Sequence, residues 1–185
     1  WGAVDMKNLA LFYGEEKLLI QEEIAKIKKQ LISNHLEMVN FVVLDGKTVS
    51  EDEILNTCRI VPMIDDVKLV IVNDARFFSS GKSKAEDSSK DLLLDGLKDV
   101  PDYTYLIFSC EKPDKRRRLF KYLQSEGTVR EFKMNSLKNK AKWIQDRCMK
   151  YGKKIETSVA YYIAEHTKDL YQVDNELNKI LSFTR

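Results

Sequence analysis

Short runs of consecutive apolar residues alternate with helix-period stripes along the first 135 residues of the chain. A continuous apolar run is typical of a strand buried on both faces, and apolar residues three or four apart are typical of an amphipathic helix. The predicted strands are Leu9–Tyr13, Val39–Leu44, Val67–Val72, Tyr103–Phe108 and Thr128–Lys133. The helices predicted between them cover 16–32, 50–60, the leucines at 92–97, and 116–124. This alternation predicts an α/β fold, a five-stranded parallel sheet with helices on both faces.

The strands stop after Asn135, and the rest of the chain has helical periodicity. Ser136 is a suitable N-cap for a helix that reaches Lys150, and Gly152 follows as a stop signal. Two further helices are predicted over 158–166 and 169–183. We therefore expect two domains, an α/β domain over residues 6–135 and a small three-helix domain over residues 136–185.

Charge is divided unevenly along the chain. The formal net charge is +2, yet residues 112–154 hold fifteen basic and four acidic side chains, and the remainder holds 16 basic and 25 acidic ones. An anionic partner and a solvated helix face both account for this asymmetry.

The three cysteines lie far apart without a CxxC pair, which favours reduced cytosolic thiols over disulfides or a zinc site. No apolar run is long enough to cross a membrane, so no membrane association is expected.

The turn after the first predicted strand argues against nucleotide binding. Only Gly14, Glu15 and Glu16 separate Tyr13 from the helix that begins near Lys17. A phosphate-binding loop needs a longer glycine-rich segment whose N–H groups and lysine surround the phosphates, whereas here two carboxylates would face them. The glycine also suits a tight turn, and the glutamates suit a helix N-terminus. We expect no nucleotide site at this turn.

Two other segments carry incomplete nucleotide or metal motifs. Gly81-Lys82-Ser83 has the end of a phosphate loop, but Arg76 stands where the preceding glycine should be. Asn73 occupies the end of the third strand, where a magnesium-binding acid is most useful, and Asp74 follows it. The two histidines belong to no cluster of ligands or catalytic partners. We expect no catalytic residue, metal or cofactor in this chain.

An apolar pair follows the helix predicted over 50–60. Pro62 stiffens the backbone there, Met63 and Ile64 come next, and two aspartates follow. One interpretation places Met63 and Ile64 in the core over the end of the sheet. The other exposes them as a pair that inserts into a hydrophobic pocket of a partner, as binding hot spots do.

Basic residues surround the start of the helix predicted over 116–124. The cluster consists of Lys115, Arg116, Arg117, Arg118 and Lys121. The helix predicted from Ser136 continues the basic character with Lys138, Lys140, Lys142, Arg147 and Lys150. These side chains are candidates for contact with DNA phosphates or with another protein subunit, and their spacing alone leaves both alternatives open.

Taken together, these segments resemble the delta subunit of the bacterial DNA polymerase III clamp loader. The matching stretches are Leu11–Glu16, Cys58–Val72, Lys115–Lys121 and Asn175–Ile180. The resemblance covers nearly the whole chain and depends on the order and spacing of these segments. It implies a RecA-like, AAA+-type α/β domain without a functional phosphate loop, followed by a helical lid. It also implies a C-terminal collar domain that is expected to be missing from this sequence.

The resemblance further implies a function in DNA replication. Members of the family lack a working nucleotide site and open the ring-shaped sliding clamp by wedging an apolar pair into a clamp pocket. In this sequence that pair corresponds to Met63 and Ile64, after Pro62. The implied partners are the sliding clamp (beta subunit), the gamma or tau and delta prime subunits of the loader and, indirectly, primed DNA. We expect a cytoplasmic, nucleoid-associated component of the polymerase holoenzyme with no intrinsic enzymatic activity.

Two other functions stay open at this point. One is a nucleotide-dependent ATPase, which would show saturable nucleotide binding with magnesium. The other is a nucleic-acid-binding module that uses the basic segment 112–154, and its DNA binding would weaken steeply with salt.

Overall fold

The computed structural model describes residues 6–33, 37–64, 66–79, 92–134 and 136–183, and within these ranges it contains five strands and eight α-helices. The strands are β1 (Leu9–Tyr13), β2 (Phe41–Asp45), β3 (Lys68–Asn73), β4 (Thr104–Cys110) and β5 (Thr128–Glu131). The helices are α1 (Lys17–Leu31), α2 (Glu37–Asn40), α3 (Glu51–Arg59), α4 (Leu92–Leu97), α5 (Arg118–Glu126), α6 (Leu137–Lys150), α7 (Thr157–His166) and α8 (Leu170–Phe183). The predicted Gly81-Lys82-Ser83 motif, His35 and Asp65 lie outside the described residues.

The chain divides into two compact units. One consists of Trp1–Glu15 and Ile20–Phe132, and the other consists of Glu16–Leu19 and Lys133–Arg185. The first unit contains the sheet, and the second contains α6, α7 and α8.

The sheet has the strand order β2-β3-β4-β1-β5, and each of its described pairings is parallel. β1 lies between two neighbours, with Leu9 opposite Leu106 of β4 and Ala10 opposite Thr128 of β5. All of β1 is buried, as its uninterrupted apolar sequence predicts. The predicted five-stranded parallel sheet with flanking helices is confirmed.

Alternate strand residues enter two apolar clusters on opposite faces of the sheet. Leu11 and Val70 belong to the cluster that contains the buried side chains of α3, α4 and α5. Phe12 and Ile71 belong to the other cluster, with Ile27 of α1. Burial of each such side chain stabilises the folded state by roughly 1.5–3 kcal/mol. The two-residue period of the strands therefore gives the first unit a core on each face.

The predicted start of the second strand is wrong by two residues. Val39 and Asn40 end α2, and β2 begins at Phe41. Asn40 is fully buried, and its side chain is committed to hydrogen bonds with the backbone of Met63, so it does not continue the apolar strand pattern.

The predicted helix caps are confirmed at two N-termini. The Ser50 hydroxyl accepts a hydrogen bond from the Glu53 N–H at 3.2 Å, and the Ser136 hydroxyl accepts one from the Asn139 N–H at 3.2 Å. Each bond satisfies one of the N–H groups that have no partner within the helix.

Gly14 allows a close approach between two backbone segments. Its φ is 139°, and a β-carbon at this position would lie 2.0 Å from the Phe132 carbonyl oxygen. The Gly14 N–H donates to the Cys110 carbonyl at 3.2 Å, and the Phe132 N–H donates to the Tyr13 carbonyl at 2.7 Å. Both strands that flank β1 are thus continued into this turn by hydrogen bonds.

We predict that Gly14→Ala lowers the free energy of unfolding by at least about 3 kcal/mol, because it adds a steric clash to an unfavourable φ. Thermal unfolding followed by circular dichroism measures the loss. Gly152→Ala is the matched control, since Gly152 has a φ of 71° but nothing within 4 Å of its added β-carbon. The control should lose only the roughly 1–2 kcal/mol of a left-handed residue. Equal losses in the two variants would contradict a role for the contact with Phe132.

Candidate protein-contact site and basic surface

The segment that carries the apolar pair begins where α3 ends, and two hydrogen bonds fix that end. The Thr104 hydroxyl donates to the Cys58 carbonyl at 2.7 Å, and the Tyr103 hydroxyl donates to the Arg59 carbonyl at 2.9 Å. The last backbone carbonyls of a helix have no hydrogen-bond donor within the helix, and these two hydroxyl groups supply the missing donors. Because Thr104 is the first residue of β4 and Tyr103 immediately precedes it, these hydrogen bonds join the end of α3 to the sheet.

The cysteines of the described structure are packing residues. Burial raises the pKa of the Cys58 and Cys110 thiols to about 12, and it also raises the pKa of Cys148. The thiolate is the nucleophilic form, so these groups are protonated and unreactive at neutral pH. The free thiols belong to the core and not to a reactive site.

The apolar pair lies on the surface. Ile64 is 89% exposed and Met63 is 60% exposed, and the preceding Ile60 and Val61 are exposed as well. Pro62, between them, is half-buried. The interpretation that placed Met63 and Ile64 in the core is therefore wrong. We call residues 60–64 the apolar turn.

A buried asparagine holds the backbone of the apolar turn. Asn40 Nδ2 donates to the Met63 carbonyl at 2.8 Å, and Asn40 Oδ1 accepts from the Met63 N–H at 2.8 Å. The next residue, Ile64, has a φ of 69°, a left-handed conformation that is rare for a β-branched side chain. The apolar side chains point into solvent from a backbone that is bonded on its inner side.

The apolar turn lies at the edge of the sheet where the strands begin. Asn40 immediately precedes β2, and the turn precedes β3 by a few residues. These two strands are parallel neighbours, with Phe41 opposite Leu69. The hydrogen bonds between Asn40 and Met63 thus join two chain segments just before they enter the sheet.

The turn predicted to lack a nucleotide site lies at the opposite edge, where the strands end. The N–H of Gly14, which a phosphate loop would direct at its ligand, is already bonded to a backbone carbonyl. Glu15 is exposed, and Glu16 is half-buried with its carbonyl accepting the Leu19 N–H at 3.1 Å. The residues present form a compact helix entry rather than a loop that surrounds phosphates.

The polar residues after β3 are engaged in bonds within the protein. The Lys47 ammonium lies 2.8 Å from a carboxylate oxygen of Asp74, and this ion pair raises the pKa of the lysine. The Ser109 hydroxyl donates to the Asn73 side-chain carbonyl at 3.1 Å. No group of three or more potential metal ligands occurs among the described residues.

The basic cluster around α5 is partly used to build the local structure. Arg116 forms a two-bond ion pair with Asp114, at 3.0 and 2.9 Å, and this pair holds the pKa of the carboxyl at about 2. Arg117 donates to the Ser79 carbonyl at 2.9 Å. The Asp114 carboxylate also accepts from the Arg116 N–H at 3.0 Å, and the Asp114 backbone carbonyl accepts from the Arg117 N–H at 3.2 Å. These bonds form a turn, and α5 begins after it at Arg118 and not at the predicted Arg116.

The remaining cluster members differ in their surroundings. The Lys115 ammonium lies 5.1 Å from the centre of the Tyr13 ring, and a hydrogen bond with Tyr13 raises the pKa of the lysine. Arg118 and Lys121 are exposed on α5. From the sequence, these five basic residues could not be distinguished. In the structure, Lys115, Arg116 and Arg117 form bonds within the protein, and Arg118 and Lys121 face solvent.

The basic helix α6 shows the same division. Lys140 is buried and donates to the Thr167 carbonyl, and Arg147 forms a 2.5 Å ion pair with Asp174. Two exposed lysines of α6, Lys138 and Lys142, line a groove of about 530 Å³ between α6 and α7, whereas the exposed Lys150 does not. Its cationic lining residues are Lys138, Lys142 and Lys154, and its other lining residues include Met149, Ile155 and Tyr161.

The fold defines the chain as an AAA+-like α/β protein. A solved structure of AMPPCP-bound DnaA from Aquifex aeolicus shares it, with a TM-score of 0.53 and 14% sequence identity over 95% of this chain and 55% of that one. The family model described as "DNA polymerase III, delta subunit" matches residues 11–133, and the chain belongs to this family.

Two relatives from Bacillus subtilis agree with this assignment. DNA polymerase III subunit delta of strain 168 is 24% identical over 179 residues, which cover 92% of this chain and 50% of the relative. The solved structure of the DNA clamp loader delta protein has a TM-score of 0.72 and 22% identity, covering 97% of this chain and 54% of that one. The chain thus spans about half the length of these relatives.

In the part of the chain that the structure describes, no helix has the length and apolar character needed to span a bilayer.

Proposed function

We propose that this chain is a non-catalytic clamp-loader subunit that binds and opens the DNA sliding clamp during replication. Met63 and Ile64, after Pro62, form the contact with the clamp. The observation that carries the proposal is the exposed apolar pair on a backbone fixed by Asn40. Membership of the DNA polymerase III delta family supports it, as does the likeness to a protein described as a DNA clamp loader delta protein.

The mechanism needs binding energy and no chemistry from this chain. A rigid apolar wedge that binds an open or distorted ring more tightly than a closed ring shifts the equilibrium toward opening by the difference between the two affinities. A fixed turn serves this purpose because less conformational entropy is lost when it binds. The hydrogen bonds at Cys58, Arg59 and Met63 provide that rigidity.

The two compact units have separate roles in this proposal. The unit with the sheet is the ATPase-like domain without a functional phosphate loop, and the three helices of the other unit are the lid. In the whole protein, contacts with the gamma or tau and delta prime subunits would place the chain in the loader, and ATP bound by neighbouring subunits would control access to the wedge.

We predict that Ile64→Ser weakens binding to the sliding clamp of the same organism at least about tenfold, since it removes an anchor of hot-spot type. Ile64→Asn should have the same effect, and asparagine tolerates the left-handed φ at this position. Surface plasmon resonance with immobilised clamp measures affinity, and circular dichroism checks the melting temperature. Neither substitution should lower the melting temperature appreciably, because the side chain is 89% exposed.

The matched control is Ile180→Ser, which changes an isoleucine that is 53% exposed in α8 and should leave clamp affinity unchanged. The double variant Met63→Ala/Ile64→Ala should abolish binding. If the folded double variant binds as well as the parent chain, the clamp contact lies elsewhere and the assignment of the wedge fails.

We also predict that the chain shows no saturable binding of ATP with magnesium. The Gly14 N–H is used within the backbone, and Asp74 is paired with Lys47. Isothermal titration calorimetry with magnesium-ATP tests this, with magnesium-ADP alongside. A dissociation constant below about 1 mM that depends on magnesium would contradict the non-catalytic assignment and favour the ATPase alternative.

DNA binding is the second candidate function. It is favoured by the groove between α6 and α7, where Lys138, Lys142 and Lys154 are exposed and form no ion pair with any described residue. Phosphates would bind the lysines, and a base could stack on Tyr161.

If the groove binds DNA, Lys138→Ala/Lys142→Ala weakens binding of single-stranded DNA and lowers the slope of log affinity against log salt by about 1 for each phosphate that the removed lysines neutralise. Fluorescence anisotropy at several salt concentrations measures this slope. Lys26→Ala/Lys29→Ala is the matched control, because it removes two exposed lysines from another helix, α1. Equal effects of the two double variants would indicate net charge alone and would exclude a groove-specific site.

A further inference from the structure

Asn40 is an unusual residue to find at the bottom of an exposed turn. It is 0% exposed, and its side-chain amide pairs with both polar backbone groups of Met63, 23 residues away in the chain. Burial of an amide is unfavourable unless its donor and acceptor are both bonded. Both bonds measure 2.8 Å, so they offset that cost.

A primary amide can make this pair of bonds without ionising, because it presents a donor and an acceptor side by side. The Asn40 amide bonds the N–H and the carbonyl of Met63 in the way that the backbone of a paired β-strand would. Met63 itself belongs to no strand. The bonds fix the backbone of Met63 while its side chain stays exposed. They also fix the residue immediately before Ile64, whose φ is 69°.

We propose that Asn40 is a positioning residue for the clamp contact, which rests on the function proposed above. It touches no clamp atom itself. It holds Met63 so that Met63 and Ile64 project together, and so that the turn is already ordered when the partner arrives. Without it the turn must be ordered on binding, and the affinity for the clamp falls.

The test compares clamp binding by the parent chain, Asn40→Ala, Met63→Ala and the Asn40→Ala/Met63→Ala double variant. We expect Asn40→Ala to weaken binding roughly tenfold, the cost of ordering one or two side chains and their backbone. The effect should be smaller in the Met63→Ala background, because Asn40 still bonds the backbone there but only the Ile64 side chain is left to position. Asn73→Ala is the matched control, because it removes an asparagine with a side-chain hydrogen bond at the far end of the neighbouring strand β3 and should bind like the parent.

Hydrogen exchange provides a readout that a general loss of stability would not reproduce. In the parent chain the Met63 amide should exchange slowly although its residue is exposed, and in Asn40→Ala it should exchange much faster while amides of β1 are unchanged. Asn40→Leu keeps the approximate size of the side chain but supplies neither the donor to the Met63 carbonyl nor the acceptor for the Met63 N–H. It should therefore fail to restore affinity.

The outcomes separate this inference from the proposed function. If Met63→Ala/Ile64→Ala still binds the clamp, the proposed function fails. If that variant loses binding while folded Asn40→Ala binds like the parent, the proposed function stands and the role of Asn40 is overturned. An effect of Asn40→Ala that is undiminished in the Met63→Ala background, or an Asn40→Ala chain that does not fold, also overturns it.

Discussion

The rest of the structure depends on one constraint, the parallel pairing of β1 with its two neighbours. β1 is fully buried and pairs with β4 on one side and with β5 on the other. Parallel strands need crossover connections, so the helices between them must cover both faces of the sheet. All strands also begin at one edge and end at the other. The two edges therefore carry different loops, and each edge can acquire its own chemistry.

Open α/β sheets ordinarily bind ligands where their strands end. In this chain that edge is closed by internal bonds, since the Gly14 turn lies against the Phe132 backbone and Asp74 is paired with Lys47. The apolar turn lies at the opposite edge, before β3, and is bonded to Asn40, which precedes β2. In a fold suited to small-ligand binding, the exposed apolar turn thus lies away from the usual ligand site, on a backbone bonded next to the sheet.

The sequence predicts what depends on local pattern, and it misses what depends on contacts between distant residues. The β1 strand, the Ser50 cap and the parallel sheet follow from periodicity and capping, which neighbouring residues determine. The role of Asn40 could not be predicted, because its partner is Met63, 23 residues further along the chain. The one local signal was an asparagine inside an apolar run, since asparagine is depleted from strands. Likewise, spacing could not show that Arg116 is paired internally while Arg118 faces solvent.

The conformation of Ile64 links the structure of the turn to its proposed use. A β-branched residue in the left-handed region costs roughly 1–2 kcal/mol, and such strain persists only where the surroundings determine the backbone. Here Asn40 holds the preceding residue, and hydrogen bonds to Cys58 and Arg59 hold the end of α3. Within the chain, an isoleucine that is 89% exposed gains almost nothing from packing in return for its strain. The strain is therefore offset by the bonds that fix the backbone, and the Ile64 side chain stays available to another surface, which is why we infer that the turn is shaped for a partner.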